Sequence, residues 1–151
     1  MRFFLCIYYL KFYHHSIFRL LLQIIFFKMT AQKTIAIFDD DEDILSICSY
    51  ILEESGWTVH TFTDCNDVLE KVAKARPAVI LMDNWVPDEG GVAATRAIKA
   101  DPNYKDIPVI YFSANSEIEA LAESAGADAC LPKPFDLEEL EKIINQVLTS
   151  A

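Results

Sequence analysis

Residues 33 to 149 predict an α/β domain whose parallel sheet is covered on both faces. Short apolar runs alternate with amphipathic ones along this stretch. One run, Ala78 to Met82 (AVILM), is apolar throughout, as a central parallel strand buried on both faces requires. No internal repeat or low-complexity linker interrupts the alternation.

The elements follow in order. Thr34 to Phe38 (TIAIF) is an apolar run ending in acid. Ile44, Leu45, Ile47, Cys48, Ile51 and Leu52 then recur at helical spacing, with Ser55-Gly56 as the stop. Trp57 to Phe62 alternates like a strand. Asp64 is placed to cap a second helix carrying Val68, Leu69, Val72 and Ala73, which ends before Pro77. After Ala78 to Met82, a loop with Pro87, Gly90 and Gly91 leads into an Ala-rich helix running to about Lys99. Ile107 to Phe112 reads as the fourth strand, and Ser116 to Ala125 as a short helix with Ile118 and Leu121 on one side. Cys130 and Leu131 mark a brief fifth strand. Asp136 then caps a last helix with Leu137, Leu140, Ile143, Ile144, Val147 and Leu148 on one stripe. No output domain is expected beyond it.

The formal charge of -10 is unevenly spread. Residues 1–28 hold Arg2, Lys11, Arg19 and Lys28 and no acid, which leaves nine basic residues against all 23 acidic ones afterwards, about -14. Nucleic-acid phosphates would repel such a body, so proteins or an offsetting cation are the expected partners. The extension 1–28 is apolar, aromatic and basic, and is set apart from a domain spanning 29–151. Lys11 and Arg19 break it short of a membrane span, and Phe26-Phe27-Lys28 is no signal cleavage site. Met29 would serve as the start of a soluble domain, for which a cytoplasmic location is expected. Upstream sequence outside the native protein, a membrane-associated tail and a cleaved signal all stay open for 1–28. Membrane contact is expected only if that extension is real. Cys6, Cys48, Cys65 and Cys130 form no CxxC-like pair, and His14, His15 and His60 suggest no ligand set.

In an open parallel sheet, ligands bind at the carboxyl ends of the strands. Asp39-Asp40-Asp41 ends the first strand, Asp83 the third, Ser113 the fourth and Lys133 the fifth. Two carboxylates ~4 Å apart repel by ~4 kcal/mol at an effective dielectric near 20, so gathering Asp39, Asp40 and Asp83 calls for a cation. Hard oxygen donors without His or Cys select magnesium or a similar hard ion. A metal-neutralised aspartate can attack phosphorus, and a hydroxyl and an ammonium suit the new phosphoryl oxygens. Each residue also has a plainer role. Asp41 and Asp43 read as carboxylates at a helix start, Ser113 as a cap, and Lys133 as a surface lysine between two prolines.

These residues carry a resemblance to the response-regulator receiver family, the CheY-like domains of two-component signalling. The segments that match are IAIFDDDEDIL, VILMDNWVPDEGG with Pro87 four and Gly91 eight residues after Asp83, YFSAN, and LPKPF. The resemblance implies a flavodoxin-like (βα)5 three-layer sandwich with strand order 2-1-3-4-5. It implies Asp83 as phosphoacceptor. Mg2+ would be held by Asp40, Asp83 and the backbone carbonyl of Trp85, with Asp39 helping through water. Phosphoryl would come from a histidine kinase or a histidine phosphotransfer protein, and the signal would pass to a further protein or by onward phosphotransfer. Ser113 and Lys133 would contact the phosphoryl group, the Lys133–Pro134 bond would be cis, and Ser113, Cys130, Lys133 and Pro134 would form the switch region. Such a domain catalyses only its own phosphorylation and dephosphorylation.

Two positions depart from the family. Cys130 stands where an aromatic ring usually does. Trp85 stands where bulk influences water access to the acceptor. Two other functions compete. A haloacid-dehalogenase-like phosphatase would use Asp39 and Asp41 as its D-x-D, although Asp43 stands where a Thr usually follows. A degenerate receiver would act by binding alone.

Overall fold

The computed structural model describes residues 33–88 and 90–150. The extension 1–28, the three readings of it, the domain start at 29, and Cys6, His14 and His15 lie outside the described residues. Among the described residues, five strands, β1 (Thr34–Phe38), β2 (Thr58–Phe62), β3 (Val79–Asp83), β4 (Val109–Ser113) and β5 (Ala129–Pro132), alternate with five helices. These are α1 (Glu42–Glu54), α2 (Val68–Ala75), α3 (Gly90–Ala100), α4 (Ile118–Ala125) and α5 (Leu137–Ser150). Neighbouring strands pair in parallel in the order β2-β1-β3-β4-β5, as the resemblance implies.

Period-two side-chain alternation divides the core between two faces. Ile35, Ile37, Val79, Leu81, Ile110 and Phe112 meet Leu45, Cys48 and Leu52 of α1 and Leu140, Ile144 and Val147 of α5. Ala36, Phe38, Ile80, Met82, Val109 and Tyr111 face the other way, toward apolar residues of α2, α3 and α4. The three inner strands are buried at every position, which is why their sequences show no alternation. The edge strands differ: β2 has no buried position, and β5 buries only Leu131.

The helix ends explain where the sequence reading shifts. Asp41 accepts N–H bonds from Asp43 and Ile44 and so caps α1, while Gly56 at φ +82 lets the chain turn out of it. Asp136 and Glu139 cap α5 reciprocally: each carboxylate accepts from the other residue's amide, at 2.8 and 3.1 Å. Four details are corrected. Asp64 does not cap α2. Its Oδ1 accepts from the Asn66 amide at 2.8 Å in a separate turn and pairs with Lys71, and α2 begins later, after Asp67 at φ +48. Ala73 is exposed because the buried stripe of α2 is Val68, Val72 and Ala75. Gly90 and Gly91 open α3 rather than lying in the loop before it. Leu137 is exposed, and the buried stripe of α5 is Leu140, Ile144 and Val147.

Candidate functional site

Parallel pairing brings the carboxyl ends of β1, β3, β4 and β5 to one edge. Asp39 follows the last residue of β1, while Asp83 and Ser113 end β3 and β4. All three are buried, although each is polar. Lys133 follows β5, and its backbone amide donates to the Ser113 carbonyl at 2.9 Å, which aims its side chain across the sheet end.

The Lys133 ammonium bridges two carboxylates, donating to Asp39 Oδ2 at 2.6 Å and to Asp83 Oδ1 at 2.8 Å. It also lies 4.3 Å from the centroid of the Phe112 ring. The second oxygen of each carboxylate is tied to a backbone N–H. Asp39 Oδ1 accepts from Asp41 at 3.0 Å, and Asp83 Oδ2 from Trp85 at 2.5 Å. Asp40 is exposed at the rim, and one oxygen each from Asp39, Asp40 and Asp83 lie within 4.8 Å of one another. An open hollow of about 420 Å³ above them is lined also by Ile44, Trp85, Ser113 and Asn115.

Burial pushes the Asp39 carboxyl up, and the bonds from Lys133 and the Asp41 amide reverse that only in part. Burial presses the Lys133 ammonium down, but the two carboxylates outweigh it and the net direction is up. Three carboxylates against one ammonium leave negative charge uncompensated within a few ångströms. The donors are all oxygens, partly preorganised by backbone N–H groups, and one lies open at the rim. That set fits a hard divalent cation that keeps some of its waters.

The sequence-predicted residues separate into groups. Asp39, Asp40, Asp83, Ser113 and Lys133 come together at one hollow. The Ser113 hydroxyl accepts from the Asn115 amide at 3.3 Å, so it is held at the start of the loop toward α4. The Trp85 ring is 72% exposed at the mouth of the hollow. The Lys133–Pro134 bond is cis. Cys130 is half-buried and packs beneath α4 rather than in the hollow. Asp41, half of the D-x-D alternative, has its carboxylate committed to the α1 cap, which removes the observation behind that reading.

Three features escaped the sequence reading. Gly91 packs so closely that a Cβ there would stand 1.9 Å from the Asp83 carbonyl oxygen. Asn115 receives no role from its spacing, yet it ties down Ser113. Tyr111, in an otherwise apolar strand, sends its hydroxyl to Asn84 Oδ1 at 2.6 Å. A phenol inside an apolar run was the available signal, because a buried hydroxyl needs a partner.

Residues 35–145 match the sequence model of the response regulator receiver domain. The DNA-binding transcriptional regulator NtrC of Proteus hauseri is 34% identical over 113 residues, covering 74% of this chain and 24% of that protein. The chain thus spans about a quarter of the length of that curated relative. The chemotaxis protein CheY4 of Vibrio cholerae superposes with a TM-score of 0.71 at 29% identity, covering 78% of this chain and 99% of that one. The receiver domain of a Pseudomonas aeruginosa sensor histidine kinase, solved with a magnesium ion in its active-site cleft, gives 0.72 at 28% identity and covers 79% and 99%. Among the described residues, no helix is long and apolar enough to cross a membrane.

Proposed function

The chain belongs to the response regulator receiver domain family, and from that premise we propose that it takes a phosphoryl group from a phosphohistidine onto Asp83. The donor is a histidine kinase or a histidine phosphotransfer protein. The observation that carries the reading is the Lys133 bridge between Asp39 and Asp83 beside the exposed Asp40.

Transfer breaks the phosphorus–nitrogen bond of the phosphohistidine and forms a bond from phosphorus to an Asp83 oxygen, leaving an acyl phosphate. The histidine leaves with the electron pair of the broken bond. Lys133 and the Ser113 hydroxyl would donate to the new phosphoryl oxygens. Mg2+ would be held by Asp40, Asp83 and the Trp85 carbonyl, with Asp39 acting through water, and when bound it supplies positive charge against the carboxylates and the phosphoryl oxygens. Ser113, Cys130, Lys133 and Pro134 form the segment through which occupancy of Asp83 reaches the protein surface. The product is a signal, passed by protein contact or by onward phosphotransfer in the cytoplasm. The chain catalyses only its own phosphorylation and dephosphorylation.

Incubation with Mg2+ and acetyl phosphate, followed by intact mass measurement, tests the reading. One added phosphoryl group is expected on the wild type and none on Asp83→Asn. No addition to the wild type, or equal addition to the variant, would overturn it.

A further inference from the structure

Asn84 follows Asp83 directly, and the structure holds it from two sides. Its backbone carbonyl accepts from the Gly91 amide at 3.3 Å, at the point where α3 crowds the Asp83 backbone. Its side-chain oxygen accepts from the Tyr111 hydroxyl at 2.6 Å. Tyr111 is fully buried in β4, in register with Met82 on one side and Cys130 on the other. The ring belongs to the core cluster that includes Ala94 and Ile98 of α3 and Ile118 and Ala122 of α4. This hydrogen bond therefore joins the first residue of the loop after Asp83 to the core beneath α3 and α4, while buried Val86 packs into the same core two residues later. The next residue, Trp85, donates its amide to Asp83 Oδ2, so the position of Asn84 governs how the chain turns back onto the acceptor.

We propose that Tyr111 is a positioning residue: its hydroxyl anchors Asn84 and so holds the Trp85 amide against the Asp83 carboxylate. Burial, with the Asp83 charge as the lesser cause, pushes the phenol up to about 12, so the hydroxyl keeps its proton and remains a donor at physiological pH. The ring packs from the core side and cannot follow the loop outward. The bond thus selects the loop conformation in which Asp83 has one oxygen on Lys133 and the other on Trp85. The consequence for phosphoryl transfer rests on the function proposed above. The anchoring itself does not.

The test uses Tyr111→Phe, which keeps the ring, and Asn84→Ala, which removes the acceptor from the loop side without touching the core. Amide hydrogen exchange by NMR on the metal-free full chain reads the Trp85 N–H directly. Each variant is expected to speed exchange at Trp85 roughly tenfold, the loss that corresponds to one buried neutral hydrogen bond, while amides of β1 and β4 stay protected. The double variant is expected to be no worse than either single one, because both remove the same bond. Acetyl phosphate labelling is expected to slow in both variants. Unchanged Trp85 exchange in both, or additive effects in the double variant, would overturn the proposal. Failure of the wild type to accept phosphate would instead defeat the phosphoacceptor reading, with the exchange result still deciding the anchor.

Discussion

The Nζ of Lys133 lies 2.8 Å from Oδ1 of Asp83, fifty residues earlier in the chain, and the same ammonium reaches Asp39 at 2.6 Å. One cation thus serves two buried carboxylates, so its removal strands both. Lys133→Met is expected to cost about 3 kcal/mol in metal-free urea unfolding at neutral pH, the usual size for breaking a buried pair from one side. Added Mg2+ is expected to return more stability to the variant than to the wild type. Equal response of the two proteins to Mg2+ would contradict a shared carboxylate cluster.

Gly91 admits no side chain, because a Cβ would meet the Asp83 carbonyl oxygen at 1.9 Å and its carbon at 2.9 Å. These are backbone atoms and cannot rotate aside. Gly91→Ala is expected to destabilise the fold by about 1–3 kcal/mol and to slow acetyl phosphate labelling as the acceptor backbone shifts. A urea midpoint equal to wild type would show that α3 can move away without consequence.

Trp85 is 72% exposed, so its ring contributes little to folding. Trp85→Asn is expected to change stability by less than about 0.5 kcal/mol while shortening the life of the phosphorylated form, since the bulky ring at the mouth of the hollow shields Asp83 from water. Timed dephosphorylation measures this. An unchanged or slower rate would remove the shielding role.

Cys48 sits in the core between α1 and the sheet, and burial, aided by the Asp39 charge, pushes its thiol up to about 11 from 9.0. The unfolded chain releases this proton at lower pH than the folded one does. The associated stability is therefore complete below pH 9 and is lost as pH climbs through 11. Cys48→Ala is expected to flatten stability between those two values. Iodoacetamide at pH 8 is expected to label half-buried Cys130 well before Cys48 or Cys65, both of which are buried; mass mapping would reveal a different order.

The sequence by itself determined the alternation of elements, the all-apolar inner strands and the residues standing at the strand ends. Those properties follow from side-chain period and from local turn chemistry, which act within a few residues. Asp41 as a carboxylate at the start of α1 was legible for the same reason, and the structure adds that it caps the helix. Asp64 was not, because an extra turn at Asn66 and Asp67 separates it from α2, and local spacing does not distinguish the two arrangements. Tertiary structure alone decided which oxygen of Asp83 meets Lys133 and which meets Trp85. It alone placed Gly91 against the Asp83 carbonyl and the Tyr111 hydroxyl on Asn84. Apart from the local Asp83–Trp85 bond, these contacts join residues brought together by the pairing of β3, β4 and β5 and the packing of α3. Three carboxylates near one ammonium could be foreseen at the strand ends; their geometry depends on how the sheet closes beneath them.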